Sequence, residues 1–236
     1  DGTLGPGLAV GLLFGGEFLL LFWGLGLTTA SRGVIFLYLA PFVVALGGHF
    51  ALGERLTARK LSGLIAAFSG LILGFSDRLS LPSPEALIGD ALCLGAALLW
   101  GATTLVIKGS VLARVAAEKT LLYQLGVSAM LGLTLGFLLG EQVDRNAVVA
   151  VLPAFLYQAI WVAVVTYIAW FALIRDYPAS LLASFTFLTP IFGVGFGAAL
   201  LGEELSPRLL AALILVAAGI YLVNRSPGLR RAAEPA

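Results

Sequence analysis

ASRGVIFLYLAPFVVALGGHFALGERLT, residues 30–57, returns 149 residues later as ASLLASFTFLTPIFGVGFGAALLGEELS, residues 179–206. Ten of the 28 aligned positions are identical, with no gap. They include Ala30-Ser31 with Ala179-Ser180, Pro41 with Pro190, and Gly53-Glu54 with Gly202-Glu203. Two apolar helices that resemble each other by chance do not keep proline, glycine and glutamate in register, so the chain contains a duplicated unit.

The rest of the sequence identifies the solvent of that unit. Of 236 residues 60% are hydrophobic and 11% charged, and the mean hydropathy is +1.02. A soluble domain carries about 25% charged residues. The 29 glycines suit helices packed in lipid, where small residues let backbones approach. Cys93, the single cysteine, excludes an internal disulfide. A net charge of +1 gives no footprint for nucleic acid. The opening residues have no basic leader of a cleavable signal.

A span needs about 20 apolar residues. Eight are expected: residues 4–28, 33–52, 58–75, 86–107, 120–139, 148–174, 179–201 and 208–223. The fold class is therefore an all-α polytopic membrane bundle. The repeat motif falls on the second and seventh spans. Five spans of separation reverse the direction of crossing, so the copies have inverted topology. Ten of the fourteen lysines and arginines fall in one set of loops and the tail, and four, Arg32, Arg78, Arg145 and Arg208, in the opposite set. The positive-inside bias places both termini of the chain in the cytoplasm.

The copies differ in length. Ser180 lies 94 residues beyond Ala86, whereas 30 residues precede Ser31, a difference of 64 residues. That is room for two spans, so a ten-helix parent with five helices per copy is expected. The expected division is a first repeat over 1–76, truncated to its helices three to five, a loop over 77–85, a second repeat over 86–224 holding helices six to ten, and a cytoplasmic tail over 225–236.

Several residues are out of place in lipid. Glu17 sits mid-span, where an ionised carboxylate costs several kcal/mol unless paired or hydrated. Two roles fit it: proton coupling or recognition of a substrate amine, and a protonated acid that ties helices together. Its repeat mate is Thr166, also mid-span. Pro41 and Pro190 each remove a backbone donor and bend their helices, which makes them candidate hinges. Glu54 and Glu203 follow a helix-ending glycine and precede the capping Thr57 or Ser206. This pattern reads as a hairpin motif, Gly53-Glu54 and Gly202-Glu203, with glutamate paired to nearby loop donors or bases. Trp100 and Thr104 share a helix face that Lys108 continues toward the interface. Tyr157, Gln158 and Trp161 cluster on the sixth span, with Thr166, Tyr167 and Trp170 on another side. Gln158 and Trp161 are candidates for a cavity wall, with Tyr38 and Thr186 as further candidates near the prolines. His49, near a span end, reads as satisfied by water or a carbonyl, and Lys108 as snorkelling to headgroups.

With these residues in place, the sequence resembles the EamA-type family of the drug/metabolite transporter superfamily. The recurrent Ala-Ser, mid-helix proline and terminal Gly-Glu-x-Leu-Thr/Ser carry the resemblance, as does Gly89-Asp90-Ala91 through Trp100-Gly101 at the start of the second half. The resemblance implies a ten-helix fold lacking here its first pair, a bacterial-type inner membrane, and a secondary transporter or facilitator for an amino acid, sugar or drug-like compound, acting by alternating access and exporting it. No cofactor or metal is expected. The partners are a small-molecule substrate and the lipid bilayer, with protons as candidate coupling ions. No Gly-x4-Gly-Lys-Ser/Thr loop is present to couple ATP. The competing classes are an integral-membrane enzyme acting on lipid-linked substrates, which needs clustered carboxylates or histidines, and a non-transporting scaffold, which leaves Glu17 and Gln158 unexplained.

Overall fold

In the computed structural model the described residues are 2–79, 81–142, 145–189, 192 and 207–224, and all their regular structure is helical. The helices are α1 (Leu4–Leu27), α2 (Ala30–Leu37), α3 (Ala40–Ala51), α4 (Ala58–Phe75), α5 (Pro84–Gly109), α6 (Ala117–Leu138), α7 (Arg145–Leu156), α8 (Tyr167–Asp176), α9 (Ala179–Phe185) and α10 (Pro207–Asn224). A π-helical stretch, Tyr157–Thr166, joins α7 to α8. Six helical segments among the described residues are long and apolar enough to cross a bilayer, and α10 adds a shorter apolar one. Leu133, Phe137 and Met130 on α6 are more than two-thirds exposed. Lipid is the medium that accepts such a surface.

Local chemistry accounts for the breaks. The span opened by α2 is interrupted at Tyr38-Leu39 and resumes as α3 with Pro41 in its first turn. Proline has no N–H for the Leu37 carbonyl, and its ring crowds that carbonyl. α3 ends on Gly53 in the left-handed region, φ +69°, and the Glu54 N–H turns back to the Gly48 carbonyl at 3.0 Å, an arrangement that a Cβ strains. Thr57 then caps α4 by accepting from the Lys60 N–H at 3.2 Å. Ser83 does the same for α5 through the Ala86 N–H, with Pro84 in the first helical position. The corresponding Pro190, Gly202, Glu203 and Ser206, and the tail from residue 225, lie outside the described residues.

The inverted repeat is visible in the packing. α4 and α10 are 149-residue mates, and they cross in opposite directions. A Cβ on Gly63 would meet the Gly219 carbonyl oxygen at 2.6 Å, and one on Gly70 would meet that of Ala212 at 2.8 Å. Gly219 is the repeat mate of Gly70, and Ala212 is the mate of Gly63. The contact is thus reciprocal, as a twofold requires. The core around it contains three more mate pairs, Tyr38 with Phe187, Ala67 with Val216 and Leu71 with Ile220. The Tyr38 and Phe187 rings touch, 5.7 Å between centroids.

α1 is the other organiser. It runs antiparallel to α5, where a Cβ on Gly24 would meet Cys93 Sγ at 2.7 Å and one on Gly16 would meet Leu99 at 3.2 Å. It runs parallel to α6, with Gly7 against Tyr123 and Gly15 against Ser128 and Leu131. Its mate in the second copy is the segment from Pro153 to Asp176. There the positions of Gly7, Gly11 and Gly15 hold Leu156, Ile160 and Val164, each at least 41% exposed.

Replacing Gly219 by valine forces a branched side chain into the Gly63 and Ala67 backbone and is expected to cost roughly 1–3 kcal/mol. Gly126, with nothing within 4 Å of its Cβ position, should accept alanine without loss. Thermal unfolding in detergent measures both, and equal midpoints for the two variants would refute this account of the α4–α10 contact.

Candidate functional site

Pro41, by breaking its span, also opens space. Ala40, Pro41 and Val44 on α3, Trp100 and Thr104 on α5, Trp170 on α8, Ala183 on α9 and Thr186 just beyond it surround a small, partly open cavity. Four of the singled-out residues, Pro41, Trp100, Thr104 and Thr186, therefore share one wall system. Tyr38 backs it: the ring is buried and packs edge-on against Trp100 at 6.4 Å. The polar chemistry of the lining is narrow. Thr104 donates its hydroxyl to the Trp100 carbonyl at 3.3 Å and Thr186 to the Ala183 carbonyl at 2.7 Å. With those protons engaged, both oxygens offer lone pairs, and the indoles offer π faces.

Glu17 is 6% exposed, and its Oε2 has no hydrogen-bond partner among the described residues. The α1–α5 register, with Gly16 opposite Leu99 and Leu20 opposite Gly95, sets Glu17 level with Leu98, two residues before Trp100. Phe14, one turn before it, stacks edge-on with Tyr167 of α8 at 5.4 Å. Gln124 on α6 is the other buried side chain with an oxygen lacking a partner.

Gln158, Trp161 and Thr166 lie outside the cavity. All three are exposed on the π-helical stretch, with Trp161 at 55%, and Thr166 donates its hydroxyl to the Val162 carbonyl at 2.5 Å. The physical reason is packing. The covered face of α1 is the one that α5 and α6 pack on, and no described helix packs on the corresponding face of this mate segment. Trp170, further along the same span, is the residue that reaches the wall.

Two polar clusters at opposite ends of the bundle join elements of the first copy to elements of the second. At one end Asp90, near the start of α5, accepts from Thr28 Oγ1 at 2.8 Å and from Arg32 Nε at 3.1 and 3.2 Å, and also pairs with Arg32 Nη2. The side chains are 14% and 5% exposed. An aspartate inside an apolar span is the same signal that marks Glu17, and the sequence alone does not show that Arg32 answers it. At the other end Glu54 leaves its own hairpin. Its carboxylate accepts from the Ala179 N–H at 2.7 Å, the Ser180 N–H at 3.3 Å and the Ser180 hydroxyl, with Lys60 Nζ 3.5 Å away. Its partners are thus the start of α9 and a buried lysine. His49 Nδ1 meets the Glu54 carbonyl at 3.0 Å. Lys108 does not reach outward for headgroups, because it donates to the Ile174 and Arg175 carbonyls at 2.5 and 3.1 Å and closes the end of α8.

A polytopic helical bundle with two inverted copies and a cavity between them has the architecture of a membrane transporter. Residues 2–76 and 87–225 match the EamA-like transporter family, and the chain belongs to it. Among its relatives are the uncharacterised transporter YvbV of Bacillus subtilis, 29% identical over 90% of this chain and 70% of that protein. A probable amino-acid metabolite efflux pump of Salmonella typhimurium is 28% identical, with 93% and 75% covered. A solved crystal structure shares the fold at a TM-score of 0.75, with 20% identity over 92% of this chain and 76% of that one. Family and relatives point to a transporter rather than an enzyme.

Asp90→Asn removes the carboxylate charge that faces the Arg32 guanidinium and should cost about 3 kcal/mol, whereas Thr28→Val should cost about 1 kcal/mol. Denaturation in detergent distinguishes them, and equal effects would show that the carboxylate charge is not what holds α2 to α5.

Proposed function

We propose that this transporter moves a small amine-bearing metabolite, of the amino-acid class, by alternating access, with the repeat over 1–76 and the repeat over 86–224 rocking about the α4–α10 crossing, and that it works as an exporter. The observation that carries the reading is the cavity at the junction of the copies, with Pro41 and the helix break on its wall. Acceptor oxygens of Thr104 and Thr186 between the indoles of Trp100 and Trp170 suit an ammonium group, which gains from both lone pairs and π faces. The Salmonella and Escherichia coli relatives named as probable amino-acid metabolite efflux pumps support the same class.

Glu17 is the candidate for proton coupling. Around it, α8 brings Tyr167, α6 has its Tyr123 hydroxyl on Thr3 at 3.1 Å, and the charged ends of α5, Asp90 and Lys108, are engaged elsewhere. A carboxyl kept from water exchanges its proton with difficulty while it stays buried, and more readily when the cavity opens.

Efflux from proteoliposomes loaded with amino acids, sugars or organic cations tests both parts. Amine-bearing substrates should be moved, and Trp100→Ala should reduce the rate at least tenfold. Glu17→Gln should flatten the dependence of the rate on pH. An unchanged pH profile would remove Glu17 from the mechanism, and preference for neutral sugars would remove the ammonium site.

A further inference from the structure

The Glu54 cluster lies where both walls of the cavity converge. On α9, Ala179 and Ser180 precede the lining residues Ala183 and Thr186 by one to two turns. On α3, Pro41 and Val44 precede Gly48, against which the Glu54 side chain folds, its Cδ 3.4 Å from the Cβ position of that glycine. Val44, Ala179 and Ala183 form one buried apolar cluster, with Leu52 packed on it, between the cavity and the charges.

We propose that Glu54, Lys60 and Ser180 form a latch that closes the cavity toward this membrane face, and that the transporter opens on that side only when Ser180 parts from Glu54 and Lys60. The latch deepens the alternating-access reading and rests on it. Its parts fit the role. Glu54 comes from the turn between α3 and α4 and Lys60 from the first turn of α4, both in the first copy, and Ser180 from the start of α9 in the second, so the contacts of Ser180 with Glu54 and Lys60 exist only while the two copies touch here. Ser180 is fully buried and used twice, receiving Lys60 Nζ at 2.6 Å and donating to Glu54. The charges compensate each other while closed, and both can be hydrated when open, which makes the contact reversible.

At the mate positions the second copy keeps a glutamate, Glu203, and the first keeps a serine, Ser31, but leucine, Leu209, replaces the lysine. A lysine at this position is therefore particular to the first copy.

Site-directed labelling tests the latch without transport. Thr104→Cys places a thiol on the cavity wall, and Cys93→Ala removes the single native one. Reconstituted into vesicles, this protein should react slowly with a membrane-impermeant maleimide from the Glu54 face. Adding Glu54→Gln, or independently Lys60→Met, should speed labelling from that face by about tenfold or more, the population shift expected when a charge-assisted contact holding one state is lost, while labelling from the Arg32 face does not rise. Lys60→Arg should restore slow labelling. Unchanged rates in both variants, each monodisperse in detergent, would overturn the latch, as would equal acceleration from both faces, which marks a loosened bundle. Normal transport by the unsubstituted protein with unchanged labelling in the latch variants refutes the latch alone, whereas failure of the unsubstituted protein to move amine-bearing substrates with the labelling shift intact refutes the cargo reading and leaves the latch standing.

Discussion

The close crossing of α4 and α10 is the contact on which the architecture depends. Lipid supplies no hydrophobic drive for two helices to meet, so the contact must come from dense packing and from backbone approach. Gly63, Gly70 and Gly219 permit that approach, and because they are disposed reciprocally the two copies meet about a twofold axis. Around the axis lie Tyr38 with Phe187 and Ala67 with Val216, pairs whose members descend from the same position in the repeat. A bundle joined this way has a firm centre and two ends that polar contacts can hold or release.

The ends are held by charge. Arg32, Asp90 and Thr28 close one, and Glu54, Lys60 and Ser180 the other, with the cavity between. Paired charges in such surroundings are strong while together and costly when one partner is missing. Hydrated separately, they lose little. That combination gives two states separated by the making and breaking of a few contacts, which a transporter needs and which a uniformly apolar bundle does not supply.

The hairpin motif shows how one short sequence serves both folding and function. Gly53 supplies the left-handed turn and Thr57 caps the following helix, both local tasks. By sequence the glutamate between them pairs with nearby loop donors or bases, and Lys60 is such a base. In the structure its carboxylate spans 125 residues of sequence to reach Ala179, because the N–H groups at the start of α9 are donors without partners inside their helix, and an anion is the natural partner for them.

Sequence by itself determined the spans, their number and the inversion, because hydropathy and a gapless 149-residue offset are properties of the chain. It also marked Pro41, Trp100, Thr104 and Thr186, since a proline in a helix and polar groups in an apolar run are local anomalies. Only the tertiary structure decided which anomalies meet. It set Trp170 in the cavity wall and left Gln158 and Trp161 on an exposed face, since helical spacing says which residues share a side and not which helix covers it. It paired Asp90 with Arg32 and Glu54 with Lys60 and Ser180, because the energy of a buried charge is set by neighbours that the chain brings from far away.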